Sequence, residues 1–333
     1  KTEKLVRLLA DCRPSAFLTQ AWHEPVFRGA VAAQPSLLVV VVARVPNPGT
    51  SGGRPEFVAW EEALAASSGD CPPECQDIDV DLAALIYTSG STGEPKGVML
   101  THRNMLAAAS SITTYIGNVE DDVILCALPL SFDYGLYQMI MAFMVGARLV
   151  LEKSFAYPAE FLRLVVSEGV TGVPGVPTMF AMINGIRNLR SYDFSRVRYV
   201  TSTAAPLPAG RLLRLREIFP AARVFSMYGL TECKRCTYLP PEEIDRRPGS
   251  VGIAIPNTEI WLVDEYDNRL GPNQVGQLVV RGSTVMQGYW EKPEATARRL
   301  KSGPLPGENV LYTGDYCRFD EDGFLYFVAR MDD

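Results

Sequence analysis

The chain has 333 residues, 47% of them apolar and 21% charged, and its 38 acidic side chains outnumber 32 basic ones for a formal net charge of −6. This composition excludes disorder over the whole length, and the length removes any need for disulfide or metal staples to build a core. The acidic balance argues against a general nucleic-acid binder, and the length is that of roughly two domains.

Thr2–Cys12 is amphipathic, with Leu5, Leu8 and Leu9 on one helical face. Ser15–Thr19 and Ser36–Val45 read as strands, separated from the next apolar strand by a Gly/Pro/Ser loop at Pro46–Pro55 and a second polar loop at Ser67–Asp81. That strand, Leu82–Tyr87, runs into a Gly/Ser/Thr turn. Helices and strands then alternate. Helices are predicted at Asn104–Ile116, Tyr134–Val145, Ala159–Glu168, Thr178–Asn184 and Leu207–Ile218. Strands are predicted at Val123–Ala127, Arg148–Leu151, Gly172–Val173, Val197–Thr201 and Val224–Ser226. That order predicts an α/β fold of parallel sheets covered by helices, over residues 1–247. From residue 248 to 330 the pattern changes to short strands, at Glu259–Val263, Gly276–Arg281 and Phe324–Val328, among Gly and Pro turns, and reads as a smaller β-rich subdomain. No repeat of fixed period is found. The longest greasy run, Leu37–Ala43, has the length of a buried strand and not of the ~18 residues that span a membrane. The start lacks the shape of a signal peptide, and the seven cysteines of so long a chain do not make a disulfide framework, so reduced thiols in the cytoplasm are expected. Cys233 with Cys236, and more loosely Cys71 with Cys75, have half the spacing of a zinc site, but with only His23 and His102 as histidines the ligands run short.

The strongest chemical signal is Thr88-Ser89-Gly90-Ser91-Thr92-Gly93-Glu94-Pro95-Lys96-Gly97. Glycines let backbone N–H groups approach phosphate oxygens, the hydroxyls add donors, and Lys96 adds a point charge. It is not a Walker A loop, because Pro95 and Gly97 stand where Gly and a magnesium-binding Ser or Thr belong.

This segment resembles the phosphate loop of adenylate-forming enzymes, the superfamily of acyl-CoA synthetases, luciferases and nonribosomal peptide synthetase adenylation domains. Five further segments stand in that superfamily's order: Pro129–Gly135 in the place of the substrate motif, Ser226–Glu232 (SMYGLTE), Gly276–Leu278 with Gly288–Trp290, Tyr312–Asp315 (YTGD), and Ala329–Asp332, where the usual hinge glycine is Ala329. The resemblance covers residues 1–333, and Leu230–Pro241 (LTECKRCTYLPP) is similar to stand-alone biosynthetic AMP ligases. It implies a ligase that joins a carboxylic acid to AMP from ATP, with Mg²⁺, and passes the acyl group to a thiol of CoA or of a carrier protein. Thr88, Ser89, Gly90, Ser91, Thr92, Gly93 and Lys96 would hold the β- and γ-phosphates, Thr231 the α-phosphate and Glu232 the Mg²⁺. Tyr228 would stack on adenine, Asp315 would accept from the ribose hydroxyls, and Arg330 is a further ribose candidate. Lys96, Thr231 and Glu232 are the expected catalytic residues. By themselves, Tyr228 also reads as a core aromatic and Asp315 as a turn residue.

Aligned on these motifs, the acyl pocket would be walled by Asp133, Tyr134, Tyr137, Pro174, Val200, Ser202, Met227, Arg235 and Cys236. Two tyrosines and a methionine favour a small acid or an amino acid over a fatty chain. Asp133 has two readings, a partner for a substrate ammonium or an N-cap for a helix starting at Tyr134. Arg235 either takes a second carboxylate or sits at the surface. The superfamily's mobile C-terminal domain would follow a hinge at residues 331–333, and the stretch before Thr88 is shorter than expected, so residues 1–333 read as a fragment that binds nucleotide better than it catalyses. A fatty acyl ligase and a non-catalytic nucleotide-binding module are the alternative readings.

Overall fold

The structure is a computed structural model that describes residues 2–45, 49, 53–67, 69, 74–88, 94–203 and 209–331. Cys71, Leu207, most of the Pro46–Pro55 loop, and Asp332 and Asp333 of the expected hinge lie outside the described residues. The chain divides into two compact units, Lys1–Ile78 with Gly93–Gly97, and Asp79–Thr92 with Val98–Asp333.

The first unit runs α1 (Thr2–Cys12), β1 (Ala16–Gln20), α2 (Glu24–Ala32), β2 (Val39–Ala43), β3 (Glu56–Ala59) and α3 (Trp60–Ala66). Its sheet is parallel in the order β1-β2-β3. Four consecutive valines make β2, because branching at Cβ suits an extended chain. Val40 and Val42 face a core of Leu9, Phe27, Val31, Leu37 and Phe57.

The second unit opens with β4 (Leu82–Thr88), β5 (Lys96–Thr101), whose first two residues are grouped with the first unit, and α4 (His102–Ile116). An α/β succession comes next: β6 (Val123–Cys126), α5 (Asp133–Val145), β7 (Arg148–Leu151), α6 (Pro158–Ser167), β8 (Gly172–Gly175), α7 (Pro177–Asn184), β9 (Tyr199–Ser202), α8 (Ala209–Ile218) and β10 (Arg223–Tyr228). Then come β11 (Thr237–Leu239), β12 (Ile253–Ala254), β13 (Thr258–Val263), β14 (Val275–Gly282), β15 (Gly288–Tyr289), α9 (Pro293–Arg299), β16 (Leu300–Ser302), β17 (Asn309–Phe319) and β18 (Leu325–Arg330). Thr101 caps α4, accepting from the Asn104 N–H while Asn104 accepts from the Thr101 N–H, and left-handed glycines, Gly117 and Gly146, end α4 and α5.

The main sheet has the order β12-β11-β10-β9-β8-β6-β7, parallel from β10 to β7 and antiparallel at β11 and β12. The chain leaves β6 outward to β7, then returns to the other side of β6 to lay down β8. That reversal opens a crevice beyond the carboxyl ends of β6 and β8, the place where open α/β sheets take ligands. Residues 129–135 and 175–177 succeed those two ends. A second sheet, antiparallel in the order β13-β14-β17-β16 with β18 on β17, is built from residues 258–330.

Most predicted elements appear within a few residues of their expected bounds. The structure adds α2, β3, α3, β5, β11, β12, β15, α9, β16 and the 11-residue β17. β17 escaped prediction because it contains Thr313-Gly314-Asp315, which reads locally as a turn.

The amino edge of the main sheet is tied by one carboxylate. Asp122, fully buried, accepts from the Thr171 hydroxyl at 2.6 Å, the Arg198 guanidinium at 2.5 Å, the Val119 N–H at 3.0 Å and the Asn118 amide at 3.1 Å. Burial alone would raise its pKa; the four donors override burial and hold it below the usual carboxylate range. This stability is present above the unfolded-state pKa of about 4 and is lost as pH falls through the lower folded value. Asp122→Asn should therefore cost about 3 kcal/mol at pH 7 in urea unfolding, and the difference from wild type should shrink below about pH 4.

Candidate functional site

The site is built where the main sheet and the β13-β14-β17-β16 sheet of the second unit meet. From Gln277 to Val279 is two steps on β14, whereas the facing stretch from Tyr316 back to Tyr312 is four, so two extra residues bulge from β17. Thr313, Gly314 and Asp315 occupy the bulge. Gly314 is required there: its φ is +74°, and a Cβ would run into the Arg299 guanidinium. The Thr313 hydroxyl donates to the Leu278 carbonyl at 2.9 Å, accepts from the Asp315 N–H at 3.1 Å, and so repairs the interrupted ladder. The bulge turns the Asp315 carboxylate toward β10, where the Tyr228 hydroxyl donates to one oxygen; Arg330 on β18 lies 3.7 Å from the other, its side chain 66% exposed. Burial raises the pKa of Asp315 against the pull of Tyr228 and Arg330, and burial beside buried thiols and Asp315 raises Tyr228 well above the phenol range.

β10 ends at Tyr228 and the chain turns back into β11. The turn closes when the Cys236 N–H donates to the Tyr228 carbonyl at 3.0 Å. Gly229 makes this possible, because a Cβ would sit 2.6 Å from the Lys234 carbonyl oxygen. The turn carries Thr231, Glu232, Lys234 and Arg235. Glu232 accepts from the Tyr289 hydroxyl at 2.7 Å, and its carbonyl accepts from the Met286 N–H at 2.8 Å. Cys233 and Cys236 are buried side by side, sulfurs 3.1 Å apart.

On the crevice side the turn meets α5. That helix begins at Asp133; its N-cap is Phe132, and no side chain caps it, so the N-cap reading of Asp133 fails. Asp133 pairs instead with the Lys234 ammonium at 3.3 Å, a partner that sequence reasoning missed. Lys234 is 3% exposed, adopts a left-handed backbone at φ +62°, and lies 4.2 Å over the Tyr137 ring. Burial pushes its pKa down to about 7, although Asp133 pulls the other way. Arg235 is not at the surface: it is 3% exposed, donates to the Thr203 hydroxyl at 2.5 Å, and stacks over the Tyr134 ring at 5.5 Å, while its Nε has no partner. Tyr134 donates to the Thr201 carbonyl at 3.0 Å.

Val200, Met227, Tyr134 and Tyr137, expected in the pocket, belong to the main hydrophobic core, with Met227 accepting from the Tyr115 hydroxyl at 2.8 Å. Pro174 and Ser202 are buried in β8 and β9, and the Ser202 hydroxyl has no partner. Thr88 ends β4 and Lys96 begins β5; Ser89, Gly90, Ser91, Thr92 and Gly93 lie outside the described residues. The structure thus gathers Tyr228, Thr231, Glu232, Asp315 and Arg330 around one turn and one bulge, with Asp133 and Arg235 on the crevice side. Sequence reasoning gave no role to Tyr289, Thr313 or Lys234. Tyr289 stands inside the Gly288–Trp290 motif, but nothing local says that a Lys-Arg pair between two cysteines is buried. Among the described residues no helix is long and apolar enough to cross a membrane.

The family model for AMP-binding enzymes matches residues 1–290. The chain is 34% identical over 259 residues to a long-chain-fatty-acid–CoA ligase of Salmonella typhimurium, covering 76% of this chain and 45% of that protein. It is 36% identical over 261 residues to 4-coumarate–CoA ligase 2 of Solanum tuberosum, covering 75% and 47%. The chain spans about half the length of the curated relatives it matches. Among solved structures it resembles VinN at 33% identity and TM-score 0.80, over 99% of this chain and 77% of that one. It also resembles ATP-bound MatB from Rhodopseudomonas palustris at 25% identity and TM-score 0.83, over 99% and 62%.

Gly314→Ala should test the bulge directly. Forcing a Cβ onto that backbone should cost about 1–3 kcal/mol in denaturant unfolding, whereas Gly323→Ala, at a turn with the same left-handed φ but open space around it, should cost less. Equal costs would mean that Arg299 yields without strain.

Proposed function

This chain belongs to the AMP-binding enzyme family, and on that premise we propose that it activates a carboxylic acid with ATP and hands the acyl group to a thiol. An oxygen of the acid attacks the α-phosphorus, pyrophosphate leaves, and a thiol sulfur then takes the acyl carbon as AMP departs. The observation that carries this reading is the pair of carboxylates that the bulge and the turn present side by side, Asp315 and Glu232. Asp315 is aimed by its bulge and held by Tyr228 and Arg330, and Glu232 is held by Tyr289. Two such carboxylates suit two different ends of a nucleotide. Asp315 offers acceptor oxygens to a ribose diol, with the Tyr228 ring beside it as the adenine platform. Thr231 is a hydroxyl donor for the α-phosphate, and the Thr88–Gly97 segment, with Lys96, is the candidate for the β- and γ-phosphates.

Glu232 fits a Mg²⁺ ion in kind: it is a hard oxygen donor, and Tyr289 occupies one of its oxygens from outside. Among the described residues no cluster of three or more His, Cys, Asp or Glu side chains is set to hold a metal by itself. One carboxylate plus substrate phosphates is the usual way Mg²⁺ is held beside nucleotides. Bound there, the ion would neutralise charge on the departing pyrophosphate; the protein's part is to keep the Glu232 carboxylate oriented.

For the acid, we favour a small carboxylic or amino acid. Tyr134 is buried against Thr201 of β9 and Tyr137 under the Lys234 ammonium, and the charged trio of Asp133, Lys234 and Arg235 is poorly suited to an alkyl chain. Long fatty and aryl acids, which the relatives' names carry, are the alternative. The acceptor is CoA or the phosphopantetheine arm of a carrier protein.

Millimolar AMP or ATP with Mg²⁺ should raise the melting temperature, since a ligand of the native state stabilises it by mass action, and GTP should do so less. Asp315→Ala should abolish the AMP shift. Glu232→Ala should keep the AMP shift and diminish that of MgATP, because only the triphosphate complex needs the metal ligand. Folded protein that shows no shift with any adenine nucleotide would refute the proposal.

A further inference from the structure

We infer that Arg299 is a positioning residue shared by both carboxylates of the site, holding the bulge that aims Asp315 and the tyrosine that orients Glu232. The inference deepens the nucleotide-binding reading above and rests on it. A bulge turns backbone carbonyls out of the ladder, and buried ones need a donor from elsewhere. In β17 the Gly314 carbonyl accepts from the Met331 N–H at 2.9 Å. The Thr313 carbonyl accepts from the Arg299 guanidinium at 2.5 Å, and the same nitrogen reaches the Tyr312 carbonyl at 3.4 Å. Gly314, lacking a Cβ, leaves the space that the guanidinium fills. On the other side, the Tyr289 hydroxyl donates to Glu232 at 2.7 Å and accepts from Arg299. A hydroxyl that donates one way and accepts the other is fixed in rotation, and each bond strengthens the next.

The fold explains how one side chain reaches both. α9 is fastened to β15, where the Tyr289 N–H donates to the Thr296 hydroxyl at 2.9 Å. At its end α9 runs into β16, whose Leu300 pairs with Leu311 of β17. Arg299, the last residue of α9, is therefore held between Tyr289 and the bulge. A guanidinium presents its N–H donors in a rigid planar fork and so serves oxygens lying in different directions, which the point charge of a lysine does not. Its charge also favours the ionised form of Asp315 against burial. In the proposed function Asp315 serves the ribose and Glu232 the metal-bound phosphates. Two independent supports would let either end loosen by itself; one residue behind both makes them loosen together.

The test measures two constants by titration calorimetry: the Kd of AMP without metal, and the Mg²⁺ concentration that half-maximises ATP binding. In Arg299→Met both should rise about tenfold. Tyr289→Phe, which cuts only the arm to Glu232, should raise the Mg²⁺ requirement and not the Kd of AMP. Adding Arg299→Met to Tyr289→Phe should then weaken AMP about tenfold and move the Mg²⁺ requirement no further, because Arg299 acts on Glu232 only through Tyr289. Arg298→Met, exposed on the same helix, should move neither constant. A merely structural role would lower the melting temperature of the free protein and leave both constants of the folded protein in place; that result, or a change in one constant alone, overturns the inference. If Arg299→Met does not fold, Arg299→Lys decides: it keeps the charge and loses the fork, so both constants should still rise, and unchanged constants overturn the inference. Wild type that binds no adenine nucleotide defeats the reading above and this inference with it; wild type and Arg299→Met that bind alike defeat this inference only.

Discussion

The hydrogen bond from Tyr228 to Asp315 is the tie on which the site's geometry depends. It joins the last parallel strand of the main sheet to the bulged strand of the antiparallel sheet, and each end is placed by something outside itself. Asp315 points at Tyr228 only because two extra residues in β17 break the alternation of a regular strand. Tyr228 in turn anchors the first residue of the turn that carries Thr231, Glu232, Lys234 and Arg235. A regular ladder at Asp315 would remove this tie and leave the turn to its own closing bond at Cys236 and to the contacts of Glu232 with Met286 and Tyr289.

The same unit treats buried charge in two ways. At the amino edge of the main sheet, Asp122 has four donors around its two oxygens, and the result is stability. At the carboxyl edge the satisfaction is incomplete. Asp315 titrates high, Lys234 titrates low, the Arg235 Nε lacks a partner, and so does the Ser202 hydroxyl. A buried polar group short of partners is costly unless something completes its hydrogen bonds.

Lys234 connects these observations. It sits two residues from the metal-binding candidate Glu232 in sequence and against the acid-pocket candidate Asp133 in space. On the proposed function, this turn would hold Glu232 for the nucleotide with Lys234 and Arg235 on the acid side, and so couple the two through its own backbone. Gly229, which lets the turn close on itself, is the residue that permits the arrangement.

Periodicity was enough for the α/β succession and the change to short strands after residue 248, and the resemblance of short motifs to a known superfamily supplied the candidates Tyr228, Glu232 and Asp315, because each depends on residues adjacent in the chain. Asp133 and Arg235 were legible as candidates but not in their roles. Whether an aspartate before a helix caps it or faces a cation depends on what another segment brings to it, here a lysine about a hundred residues later that reads by itself as a solvated charge. The turn-like Thr-Gly-Asp of β17 became strand because partners on both sides, β14 and β18, compel it into the ladder. Local sequence sets what a residue can do; burial, pairing and charge compensation, which are non-local, decided what Asp133, Lys234, Arg235 and Asp315 do here.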